Sequence, residues 1–138
     1  MKNAIGIILS ILLMLLSGCE KDHATLLSAG IWSFEDMSTD SEESAVISIV
    51  SLTEALLTDA KLEFKEGGTY LINAPFLQEP IAGDWQLIGE DQLVLEPDGK
   101  TSSTSRIKML TRDELVYSEE FVYGQAEEYT VTTTWKRN

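Results

Sequence analysis

Lys61-Leu62-Glu63-Phe64-Lys65-Glu66-Gly67-Gly68-Thr69-Tyr70-Leu71-Ile72-Asn73 is the stretch that decides the fold. Two short runs with large side chains at alternating positions, Phe64 in one and Tyr70 in the other, flank a glycine pair. Alternate residues of a strand point to opposite faces. Glycine enters the φ > 0 region without steric cost, so Gly67-Gly68 is a strong hairpin signal. The segment reads as two antiparallel strands, Lys61–Glu66 and Thr69–Asn73.

The same grammar continues toward the C-terminus. Ala74–Ile81 holds Pro75 and Pro80 and reads as a loop or a broken edge. Gly83–Ile88 and Gln92–Glu96 flank Gly89-Glu90-Asp91, a second hairpin. Pro97-Asp98-Gly99 is a turn sequence. Ser103–Leu110, Glu114–Tyr123 and Ala126–Lys136 follow, separated by Thr111-Arg112-Asp113 and Gly124-Gln125. Toward the N-terminus, Val46, Ile49, Val50, Leu56, Leu57 and Ala60 recur at helical spacing and predict one helix over Ala45–Ala60. The acidic, serine-rich Ser38–Ser44 is a loop before it, and Ile31–Met37 is a first strand with Trp32 and Phe34 on one face.

Eight strands with short connections, neighbours in sequence, predict a mainly β fold. The expected form is an eight-stranded antiparallel up-and-down barrel, with one helix between strands 1 and 2. Closure removes exposed edges, and eight strands enclose either packed side chains or one small ligand. Trp32, Phe34, Phe64, Tyr70, Trp85, Tyr117, Tyr129 and Trp135 all fall on positions that can face inward, as core or as the lining of a cavity.

The first eighteen residues stand apart. Lys2 precedes the apolar stretch Ile5–Leu16. Twelve helical residues rise about 18 Å, short of the roughly 30 Å hydrocarbon core, so this is a signal segment and not a span. Leu16-Ser17-Gly18-Cys19 closes it with an aliphatic residue, two small ones and the chain's only cysteine. That order resembles a lipobox, in which small residues admit the peptidase and the thiol takes up lipid. The expected organisation is a signal peptide over 1–18, an acylated tether over 19–29 and a barrel domain over 30–138. Acylation of Cys19 leaves no thiol for a disulfide, so stability must come from packing. One acyl chain anchors only marginally, and several anchor durably.

Removing eighteen of 138 residues leaves 120, and removing Lys2 takes the formal charge from −13 to −14. Nine basic against 23 acidic residues argue against nucleic acid or anionic headgroups as partners. The one histidine, His23, lies in the tether, so histidine-based catalytic and metal sites lack their base or ligand. Glu42-Glu43, Glu119-Glu120 and Glu127-Glu128 are adjacent pairs that point to opposite faces on a strand and read as solvated surface. Asp36, Asp40, Glu42 and Glu43 lack the glycine and spacing of a calcium loop. The sequence is read as non-catalytic and without a cofactor or metal.

Gly30-x-Trp32, Leu62-x-Phe64 with Gly68-Thr69-Tyr70, Gly83-x-Trp85-x-Leu87, Leu93-x-Leu95, Ile107-x-x-Leu110-Thr111-x-Asp113-Glu114-Leu115-Val116 and Thr134-Trp135-Lys136-Arg137 form an ordered set. The mature chain resembles the lipocalin-like lipoproteins of Bacteroidetes across Gly30–Arg137. Glu20-Lys21-Asp22-His23 loosely resembles the charged export tag on their surface-exposed members. The resemblance implies a barrel whose Trp32 packs across the closed end beneath Arg137 or Lys136. It also implies palmitate-type acylation of Cys19 and attachment to the cell envelope, at the outer membrane. The helix between strands 1 and 2 departs from the family pattern, which places it after the last strand. It could lie across the mouth as a lid or a plug. The first functional expectation is a binding module for a small apolar or amphipathic ligand. The alternative is an interaction lipoprotein with a filled barrel that engages another envelope component.

Overall fold

The computed structural model describes residues 22–125 and 127–137. Eight antiparallel strands close on themselves in sequence order: β1 (Ile31–Thr39), β2 (Lys61–Phe64), β3 (Thr69–Asn73), β4 (Ile81–Ile88), β5 (Gln92–Pro97), β6 (Ser103–Leu110), β7 (Glu114–Tyr123) and β8 (Glu127–Lys136). β1 completes the ring by pairing with both β2 and β8. Helix α1 (His23–Ser28) precedes β1, and helix α2 (Ser44–Leu57) lies between β1 and β2. The expected barrel and the expected position of the longer helix are both present.

The meander gives the barrel two unlike ends. The β2–β3, β4–β5 and β6–β7 turns gather at one end, where β1 begins and β8 finishes. α1 lies across that end, touching β2 on one side and β6 on the other. Its Leu27 is fully buried. His23–Ser28, read from sequence as tether, is therefore a docked piece of the domain. Its six residues are too few for a periodic pattern to show.

α2, the β3–β4 loop and the long β7–β8 hairpin mark the other end, the mouth. α2 is rich in Val, Ile and Thr, which have low helix propensity. Docking must therefore hold it. Val46 and Val50 supply the docking, packed with Val131 against Met37 and Tyr129. Leu57 packs on the main core. The expected stripe is thus right at Val46, Val50, Leu57 and Ala60 and wrong at Ile49 and Leu56, which are exposed. The helix is rotated so that only its Val46–Val50–Leu57 line meets the barrel. Asp59, at φ +63°, turns the chain from the helix into β2.

A bulge in β1 between Phe34 and Asp36 shifts the inward set by one, so Trp32, Phe34 and Met37 share the interior face. A second bulge, in β6 between Ile107 and Met109, does the same for Ile107 and Leu110. Gly83 is the tightest point of the wall: a Cβ there would collide with the Glu96 carbonyl. Its cross-strand partner Tyr70 covers the gap.

Candidate functional site

The closed end is built around Trp32. Its indole Nε1–H donates to the Leu27 carbonyl at 2.9 Å. The Arg137 guanidinium sits 4.2 Å from the ring centroid on the other side. Arg137 also donates through Nη1 to the Leu26 carbonyl at 2.8 Å and through Nη2 to the Arg112 carbonyl. One cation thus joins α1, the β6–β7 turn and the indole. A Cβ at Gly30 would lie 2.9 Å from Arg137 Cδ, so any larger residue there would push the Arg137 side chain off its seat. Of the two basic candidates, Arg137 is the partner of Trp32, while Lys136 points outward and pairs with Glu35 at 2.9 Å. A stacked cation of this kind contributes about 0.5–2 kcal/mol.

The eight aromatic positions divide between two clusters. Trp32, Phe64, Tyr70, Tyr117 and Trp135 are buried in the main core, with Phe34 and Trp85 packed against it. Phe34 meets Trp135 edge-on at 5.5 Å, and Phe64 meets Trp85 edge-on at 5.3 Å. Leu62, Leu93 and Leu115 fill the spaces between them and are fully buried. Tyr129 lies apart, under α2, with Phe121 stacked on it at 5.6 Å. These side chains pack on one another, as in an ordinary protein interior.

A small polar layer crosses the barrel above this core. Trp135 Nε1–H donates to the Tyr117 hydroxyl at 3.2 Å. Thr133, the cross-strand partner of Tyr117, is also buried. Ser105 donates to Glu119 Oε1 at 3.0 Å. Burial pushes the Tyr117 phenol up to about 12, with the Glu119 charge adding to the rise and the Trp135 hydrogen bond opposing it. Burial, then the Asp98 charge, raises Tyr70 as well. Both phenols stay neutral at physiological pH. Among the described residues no buried side-chain nitrogen or oxygen lacks a partner, so this layer presents no open valence to a ligand.

The clefts lie on the outside. One of about 340 Å³ runs along the outer wall of β5–β7 and is lined by Gln92, Thr104, Arg106, Lys108, Ser118 and Glu120. Another, of about 300 Å³, separates α2 from β1 beside Glu35, Glu54 and Asp59. Both are polar, open grooves. His23 is at the closed end, its Nδ1–H donating to the Glu90 carbonyl at 2.6 Å. Asp40, one of the carboxylates weighed for calcium, accepts from the Thr130 backbone N–H at 2.7 Å and latches β1 to β8. Among the described residues, no three His, Cys, Asp or Glu side chains gather in metal-binding geometry. Cys19, the expected lipidation site, lies outside the described residues.

No protein-family model matches the chain, and no curated protein does either.

One feature of the surface was not read from the sequence. On α2, Ile49, Leu52 and Leu56 are 56%, 62% and 41% exposed. At 100° per residue they fall within about 60° of one another, on the flank beside the docked line. The signal was present as the 4-3-4 spacing Ala45, Ile49, Leu52, Leu56. It runs alongside the Val46–Val50 pair, and a single broad stripe hid the two separate ones.

Proposed function

We propose that the chain is an envelope-anchored, non-catalytic lipoprotein of the lipocalin-like kind that works through its outer surface, with the barrel interior serving as a core. The observation that carries this reading is the filling of the interior. Trp32, Phe64, Tyr70 and Trp135 are all buried against one another and against Leu62, Leu93 and Leu115. A ligand-holding barrel would need those positions to line a space of a few hundred Å³. Their mutual packing favours the interaction lipoprotein over the ligand carrier. The stacking of Arg137 on Trp32 supports the lipocalin-like resemblance, and with it the outer membrane as the site of attachment, and the Leu16-Ser17-Gly18-Cys19 run supports acylation of Cys19.

The test of the anchor is metabolic labelling with palmitate. Wild-type protein should carry the label, and Cys19→Ala should carry none and remain unprocessed. Label persisting on Cys19→Ala would overturn the lipoprotein reading.

A further inference from the structure

The geometry points to the exposed flank of α2 as a docking seam for an amphipathic helix with basic margins, presented by another protein at the barrel's mouth end. This deepens the surface-interaction reading and rests on it.

The shape of the seam comes first. Ala45, Ile49, Leu52 and Leu56 repeat at 4-3-4 spacing, the periodicity with which one helix receives the side chains of another. All but the half-buried Ala45 are exposed, although Val46 and Val50 on the next line are buried. The helix carries one charged residue, Glu54, and helical geometry places it on the opposite flank, which it shares with the exposed Ile47. The seam is therefore an uncharged strip in a strongly acidic protein.

The charge around the seam selects the partner. Asp40, Glu42 and Glu43 lead into α2, and Glu127 and Glu128 open β8, whose Tyr129 and Val131 pack with the helix; all five are exposed. Among the described lysines and arginines, Lys100 is carried on a mouth-end turn, Lys61 opens β2 just after α2, and Arg106 and Lys108 sit in the outer cleft of β5–β7, while Lys65, Arg112, Lys136 and Arg137 lie at the closed end. An apolar strip within a field of carboxylates complements an apolar strip margined by Lys and Arg. A second copy of this acidic chain would bring carboxylates against carboxylates.

The membrane is a poor fit as occupant for a reason of reach. Cys19 is three residues from Asp22, and three residues span at most about 11 Å. Asp22 leads directly into α1 at the closed end. The ten residues of β8 run about 33 Å along the strand, roughly 25 Å of barrel height once tilt is allowed. A lipid on Cys19 would hold the closed end to the bilayer and direct the start of α2 away from it.

The experiment uses the mature acylated protein in phosphatidylcholine nanodiscs, with empty discs as the blank. The probe is a labelled synthetic 18-residue helix with leucines at 4-3-4 spacing and lysines on the margins, read by fluorescence anisotropy. Wild type should bind it. The double variant Leu52→Ser/Leu56→Ser, which keeps every charge and whose unchanged unfolding midpoint certifies its fold, should bind at least tenfold more weakly. A probe with glutamate margins should also bind at least tenfold more weakly. Equal binding by wild type and double variant, or no binding at all, would overturn the proposal. So would a wild-type dimer in sedimentation that the double variant lacks, which would give the seam to a second copy. Quenching of Leu52→Trp fluorescence by brominated lipid in the discs would give it to the bilayer and overturn the proposal as well. A ligand retained inside the barrel would sink the surface reading without changing any of these readouts, so the two failures are separable.

Discussion

The two ends of this barrel are finished to different degrees. At the closed end Leu27 and Trp32 are fully buried, and the Trp32 indole is hydrogen-bonded on one side and covered by Arg137 on the other. At the mouth end α2 buries Val46 and Val50 yet leaves Ile47, Ile49, Leu52 and Leu56 in water, and the β7 end of the hairpin leaves Phe121, Val122 and Tyr123 exposed as well. Both ends carry large apolar side chains, so composition does not separate them. The closed end also leaves Ile31, Ile88 and Met109 exposed at its strand ends, so what separates the two is that Leu27, Trp32 and Arg137 seal the core at one end, whereas a helix with an exposed apolar line stands at the other. Monomeric proteins rarely leave contiguous apolar surface exposed without a use for it. The closed end is sealed by its own chain, and the mouth end carries the exposed line on which the proposed contact rests.

Substitution at each end breaks or sharpens this contrast. The largest effect belongs to Trp32. Trp32→Ala should lower the free energy of unfolding in urea by about 3–5 kcal/mol, because it empties a fully buried site. Leu52→Ala at the mouth should change it by no more than about 0.5 kcal/mol. Similar costs at the two positions would erase the distinction between the ends.

A finer comparison lies within α2. Val50→Asp buries a carboxylate against Val131 and should cost about 3 kcal/mol. Ile49→Asp, one residue away but 56% exposed, should cost about 0.5 kcal/mol or less. Equal losses in chemical unfolding would mean that the helix is seated differently.

The polar layer between the two clusters gives a pH-dependent test. Tyr117 titrates near 10 when unfolded and at about 12 when folded, so the folded chain holds this proton more firmly. Its contribution is complete below pH 10 and drains as the pH rises toward 12, a loss of up to about 3 kcal/mol. Tyr70 shifts the same way and adds to the slope. Stability curves taken across that window should fall for wild type and fall less for Tyr117→Phe. Parallel curves would place Tyr117 in a wetter setting than its burial implies.

The fold was legible because its signals are local. Gly68, Gly89, Gly99 and Gly124 all adopt positive φ, each in a turn that its flanking sequence announces. The strands Thr69–Asn73, Ser103–Leu110 and Glu114–Tyr123 keep the limits that alternation assigns them. What could not be read depends on partners distant in sequence. The β1 bulge exists because of its register with β8, and it turns Met37 inward where unbroken alternation turns the odd positions of β1 outward. α1 looks like a tether because six residues show no period, and only the surface beneath Trp32 reveals why Leu27 is there. The rotation of α2 was likewise set by what receives it. Its sequence offers two adjacent apolar lines, and the barrel takes one. Five of the eight aromatic positions are buried and the other three pack against the two clusters, but alternation is the same for a lining and for a core, and packing alone distinguishes them.

A lining and a core differ in whether a second molecule sits inside the barrel. Protein purified from its own host, gently enough to keep a bound molecule, should be weighed by native mass spectrometry and again after denaturation. A barrel filled by Trp32, Phe64, Tyr70 and Trp135 predicts the same mass both times, that of the covalent chain alone. A further mass of a few hundred daltons in the native spectrum, lost on denaturation, would show a molecule held inside and contradict the account.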